Sequence, residues 1–206
     1  MGFKCTRVAD IVEVKEDNYV LQSGQGVTQL ITKVLFDTID TIIANPGKID
    51  KLIMILDAEE MNCGSRKMQV QEQIAQHYQK KEINFDIETF VCNHCFETWL
   101  LGCCGLYPQT TVDEKSDFYP YYVNYNIEEN DPEYMTVPEQ NTDTIAKYHF
   151  HYLQELLRYK KIRYSKSKPQ NVATEKFFQG IVQRINATNH LQSFETFYHF
   201  ILTENL

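Results

Sequence analysis

No stretch of the 206-residue chain approaches the roughly 18 consecutive apolar residues that a membrane-spanning helix needs. No membrane association is therefore expected. The opening residues, Met1-Gly2-Phe3-Lys4-Cys5-Thr6-Arg7, lack the apolar core of a secretory leader, so a cytoplasmic location is expected. Gly2 to Thr6 fits a myristoylation pattern in name, but no polybasic segment accompanies it, and one acyl chain anchors poorly by itself. Basic charge is also in deficit. Twenty Lys and Arg stand against 28 Asp and Glu, a net charge of -8, which argues against a surface coated for nucleic acid. Gly24-Gln25-Gly26 completes neither the Rossmann nor the Walker glycine pattern, which leaves it a weak phosphate-loop signal. Internal repeats and low-complexity tracts are absent.

A composition of 43% hydrophobic and 13% aromatic residues is sufficient for one sizeable core. The six cysteines, without a leader, read as reduced thiols of a cytosolic protein. Charge is distributed unevenly. Residues 113–143 carry nine acids against Lys115 alone, while 147–184 carry nine bases against Glu155 and Glu175. An acidic loop is thus followed by a basic arm.

Residues 8–14 and 18–22 read as short β runs in a hairpin or at a sheet edge. Val27, Leu30, Ile31, Val34, Leu35, Ile39 and Ile42 recur at helical spacing until Asn45-Pro46-Gly47 ends the helix. Leu52–Leu56 shows no alternation, as in a parallel strand buried on both faces. A surface helix over 66–80 would turn Met68, Ile74, Ala75 and Tyr78 inward. A strand at 87–92 and a helix at 95–102 complete a β-α-β-α-β-α order, which predicts an α/β fold with a parallel sheet flanked by helices. Residues 107–141 read as a long irregular loop. Helices from Thr142, over 174–186 and over 193–203 form a C-terminal helical extension. Phe194, Phe197 and Tyr198 exceed what one short helix needs, which suggests a homodimer. The expected division is a core over 1–106, a loop over 107–141 and a tail over 142–206.

The apolar run before Asp57-Ala58-Glu59-Glu60 would deliver carboxylates to the C-terminal edge of a strand, where open α/β sheets bind ligands. Asp57 and Glu59 would share a side by alternation, and Glu97 would follow a second strand in the first turn of a helix. Acids converging from two strand ends suggest a divalent cation. The competing reading is that the first acids cap a helix and that Glu97 is held by the macrodipole. Cys92, His94 and Cys95 with Cys103 and Cys104 have spacings that would serve zinc, or are ordinary core thiols. Lys160, Lys161, Arg163, Lys166 and Lys168 could follow a phosphate backbone, with Tyr159, Tyr164 and Phe177 as stacking surfaces, or form a solvated face.

The order of these motifs resembles the Toprim fold of topoisomerases, primases and OLD-type nucleases. More closely, Cys92-Asn93-His94-Cys95-Phe96-Glu97-Thr98-Trp99-Leu100-Leu101 is similar to the Asn-Pro-x-Phe-Glu-x-Trp-Leu-Leu signature of RloB-like abortive-infection proteins, with a looser likeness in Tyr164-Ser-Lys166-Ser-Lys168-Pro169. The resemblance implies a Mg2+- or Mn2+-dependent nuclease acting on DNA or RNA in anti-phage defence, with an ABC- or SMC-like ATPase as partner. Asp57 and Glu59 would take the Asp-x-Asp place, Glu97 the additional acid, and Lys166 or Lys168 the late basic residue. Gln25 stands where the family has glutamate, and an amide can be neither an anionic ligand nor a general base. Glu13 or Glu16 could substitute, or the chain could be an inactive scaffold serving as an interaction or sensor module.

Overall fold

A computed structural model describes residues 6–15, 18–24, 26–79, 81–108 and 110–204. The fold is mixed α/β, with two small parallel sheets flanked by helices. Two compact units interleave along the chain, one made of 1–56, 64–91 and 197–206, the other of 57–63 and 92–196. This differs from the division into 1–106, 107–141 and 142–206. The chain leaves the first unit at the ends of two strands, which no local composition marks.

In the first unit, β1 (Thr6–Val8) and β2 (Asn18–Val20) pair in parallel, with Arg7 opposite Tyr19. A hairpin over 8–22 is excluded, because a parallel pair needs a crossover. Here the crossover holds the 3-10 turn Ile11–Glu13, capped by Asp10. α1 (Val27–Gln29), a π turn (Leu30–Val34) and α2 (Leu35–Ala44) run on as one helix. Val27, Ile31, Leu35 and Ile39 are buried at steps of four residues, and the wider π turn keeps that spacing on one face. β3 (Lys51–Asp57), α3 (Cys63–His77) and β4 (Asp86–Cys92) form a β-α-β unit. The Asp86 amide donates to the Asp50 carbonyl at one end, and that of Ala58 to Cys92 at the other, so the strands run parallel. β3 is not buried on both faces, since Ile55 is 39% exposed between buried Met54 and Leu56. On α3 the inward positions are Arg66 and Val70, with Tyr78 beyond its end, and Met68 is 56% exposed. Phe36 stacks on His77 with ring centres 4.2 Å apart. Phe90 packs against Phe197 and Phe200 of α8 (Gln192–Glu204).

The second unit contains α4 (Phe96–Leu101), α5 (Tyr119–Asn124), α6 (Ile145–Tyr159) and α7 (Glu175–Ala187). Residues 107–141 are irregular, as expected, but packed: Val112, Phe118, Ile127 and Met135 are buried. Pro120 and Pro132 open short helical turns, where a missing N–H costs nothing. Phe194 packs edge-on to Trp99 and Phe178, and Phe197 lies against Phe90. These aromatic rings have intrachain partners, so they give no argument for a dimer.

Candidate acidic site

The site is built within the second unit, where the ends of β3 and β4 remain laced together. The Ala58 amide donates to Cys92 O at 2.9 Å and the Glu59 amide to His94 O at 2.8 Å. Phe96 N–H donates to Asp57 Oδ1 at 2.9 Å, so Asp57 caps the helix that carries Glu97. The cap reading of Asp57 is therefore part of the answer, and it also brings the two acids together.

A buried relay fixes the start of α4. The Thr98 hydroxyl accepts from His94 N at 3.1 Å and Cys95 N at 3.3 Å. It meets His149 Nδ1 at 2.8 Å, while His149 Nε2 meets the Met135 carbonyl at 3.0 Å. A carbonyl only accepts, so Nε2 carries the proton and Thr98 donates to Nδ1. Burial pushes the His149 pKa down to about 4, which keeps this tautomer neutral.

Glu97 is 3% exposed. Its Oε1 receives the Tyr164 hydroxyl at 3.1 Å and lies 3.3 Å from Lys166 Nζ, which also sits over the Phe150 ring. Its Oε2 is buried and has no hydrogen-bond partner. Desolvation, then the charge of Glu97, pushes the Asp57 carboxyl up to about 6, against the opposing pull of the Phe96 amide and Lys166. Burial and Glu97 likewise raise the Tyr164 phenol, which stays a donor. Tyr164, expected as a stacking surface, is instead a hydrogen-bond donor to Glu97, and the tight turn Ser165–Lys168 that follows it carries Lys166 to the same carboxylate.

Glu59 adds its charge to those that raise the Asp57 carboxyl, while the other expected site residues lie on different partners or on the surface. Glu59 adopts φ 54°, which ends the strand alternation, and its carboxylate is exposed. Glu60 instead accepts from Ile145 N at 3.0 Å. Lys160 Nζ donates to the Tyr107 carbonyl at 2.6 Å, and so supports the loop. Lys161, Arg163 and Lys168 are exposed, with Lys168 bridged through its backbone to Ser165. Gln25 and Glu16 lie outside the described residues, and Glu13 belongs to the first unit.

The thiols are used for packing. Cys95 Sγ approaches the Ala146 carbonyl at 3.7 Å, and Cys103 Sγ lies where a Cβ on Gly180 would come within 2.6 Å. Burial raises the pKa of Cys92, Cys95, Cys103 and Cys104, which disfavours the thiolates that zinc requires. Among the described residues no group of three or more His, Cys, Asp or Glu side chains is arranged to hold a metal. Two carboxylates do suffice for Mg2+ or Mn2+, which retain several waters. Asp57 and the unpartnered Oε2 of Glu97 fit that requirement. Comparison with family models, curated proteins and solved structures returns no match.

Proposed function

We propose that the chain is a Toprim-like, Mg2+- or Mn2+-dependent nuclease that hydrolyses DNA or RNA phosphodiesters, acting as an effector of prokaryotic anti-phage defence beside an ABC- or SMC-like ATPase. The observation that carries the metal part is the buried Glu97 Oε2, which lacks a partner beside Asp57. An uncompensated buried carboxylate oxygen is costly, and a hard cation would satisfy it. The word nuclease rests on the resemblance of residues 92–101 and 164–169.

In this reading Asp57 and Glu97 hold the ion, which when bound polarises the phosphoryl oxygens and activates water. Tyr164 orients the Glu97 carboxylate by its hydrogen bond. Lys166, with a side chain 62% exposed, can leave Glu97 to meet charge developing on the phosphoryl group. Its ammonium is a mobile point charge on a flexible stem, which suits that exchange.

A cleavage assay on supercoiled plasmid, single-stranded DNA and tRNA with Mg2+ or Mn2+ tests this reading. Cleavage lost in Asp57→Asn and in Glu97→Gln supports it. Metal-independent or unaltered cleavage in those variants overturns it. The second reading, an inactive Toprim-like scaffold acting as an interaction or sensor module, is motivated by Gln25 in the place of the family glutamate. Activity gained only in Gln25→Glu would favour that reading for the natural chain.

A further inference from the structure

We propose that the turn Ser165–Lys168 is an autoinhibitory lid over Glu97, with the Lys166 ammonium standing in the place of a divalent cation until that ion displaces it. The inference rests on the metal part of the reading above and is independent of the nuclease part.

The burial of Glu97 demands a moving part. Its Oε2 is closed to solvent as well as unpartnered, so an ion arriving from water reaches that oxygen only if something covering Glu97 gives way. Two of the neighbouring elements are firmly held. The start of α4 is fixed by the Asp57 cap on Phe96 N and by the Thr98–His149 relay. α6 is anchored by Tyr152, Leu153 and Leu156, all without exposure.

The turn is held differently. Tyr164, whose ring lies 6.3 Å from that of Phe150, anchors its start and donates to Glu97 at 3.1 Å. Beyond it the backbone closes on itself, with Lys168 N donating to Ser165 O at 2.9 Å and Asn171 Nδ2 to Arg163 O at 2.9 Å. Residues 166–171 are all exposed. A segment with local hydrogen bonds and little buried surface opens at low cost, so the turn can swing as a unit and take Lys166 with it. Charge makes the two occupants exclusive. Lys166 Nζ stands 3.3 Å from Glu97 Oε1, and a divalent ion on the same carboxylate would repel it at close range. Its flexible stem lets the ammonium leave as the ion arrives, so the buried carboxylate is never left without a cation.

Calorimetric titration of the full chain with Mn2+ at pH 8, where Asp57 is ionised, is the test, and cleavage does not enter its readout. Lys166→Met should bind Mn2+ roughly threefold to tenfold more tightly than the natural chain, because the competing cation is gone. Lys166→Arg, which keeps the charge, should bind no more tightly than the natural chain. Lys168→Met removes an exposed base nearby and should change the affinity by less than about twofold, since that charge is screened. Trypsin should cut the natural chain after Lys166 faster with Mn2+ bound, because the turn is then released. Mn2+ binding by Lys166→Met that is equal or weaker, an equal gain in both methionine variants, or trypsin cleavage unaltered by Mn2+ would overturn the lid while leaving the metal site in place. Absence of Mn2+ binding by every variant would overturn the metal site itself, and the lid with it.

Discussion

Lys166 Nζ lies 3.3 Å from Glu97 Oε1, a cation on a mobile, exposed side chain set against a carboxylate that is almost wholly buried. Tyr164 donates to the same oxygen, so both polar partners of Glu97 crowd one side of the carboxyl and leave Oε2 bare. The asymmetry matters because a buried, unsolvated acceptor strongly favours any cation that can reach it. Lys166, exposed as it is, contributes little to stability through this pair.

Glu97→Gln should therefore separate stability from activity. The amide keeps the shape, removes a buried charge and can still accept from Tyr164. Thermal unfolding should show a midpoint unchanged or higher, while metal-dependent cleavage falls by about 100-fold or more. Lys166→Ala should lower cleavage by a similar factor with an unchanged midpoint. A large fall in the midpoint for either variant would assign these residues a structural role instead.

Asp57 sets the pH dependence. Its folded pKa, pushed up to about 6 from the ordinary 3.8, means that between those values the native state holds a proton the unfolded chain has released. Stability contributed by this group is thus present below about pH 4 and is lost as pH rises through about 6. Glu133, pushed up to about 7, slopes the same way, whereas His149, pushed down to about 4, slopes the opposite way. The diagnostic quantity is the difference between the natural chain and Asp57→Asn in urea titrations from pH 4 to 7. That difference should change across this window and level off above it. Metal binding needs the ionised form, so affinity for Mn2+ should rise through about pH 6.

Thr98→Val should destabilise the start of α4. It strands the amides of His94 and Cys95 and leaves His149 Nδ1 unpaired in a place with no exposure. A cost of about 1–3 kcal/mol is expected in urea denaturation. Because α4 carries Glu97, the Mn2+ affinity of the folded variant should fall as well.

Ser193 joins two buried groups that are far apart in sequence. It accepts from Trp99 Nε1 at 2.7 Å, and its hydroxyl and amide both donate to Glu133 Oε1. Ser193→Ala should cost about 1–3 kcal/mol. Trp99 is the chain's one tryptophan, so its fluorescence reports the unfolding directly.

The α/β character, the strands over 52–56 and 87–92, and helices from about Thr142 and over 174–186 are legible in the sequence. Hydrophobic spacing and capping residues act over a few neighbours, so they can be read without the fold. Asp57, Glu59 and Glu97 stand out as acids after apolar runs, and 160–168 as a late basic segment, but nothing local separates Lys166 from Lys168. The left-handed backbone of Glu59, which ends the strand alternation, is a product of the tertiary structure and leaves no mark in the sequence. The same holds for Tyr164 on Glu97, Lys160 on Tyr107 and the packing of residues 107–141, where irregular backbone contributes buried side chains with no period to reveal them. The parallel pairing of β1 with β2 was likewise hidden, because strand direction depends on how the intervening chain crosses over and leaves no trace in either strand.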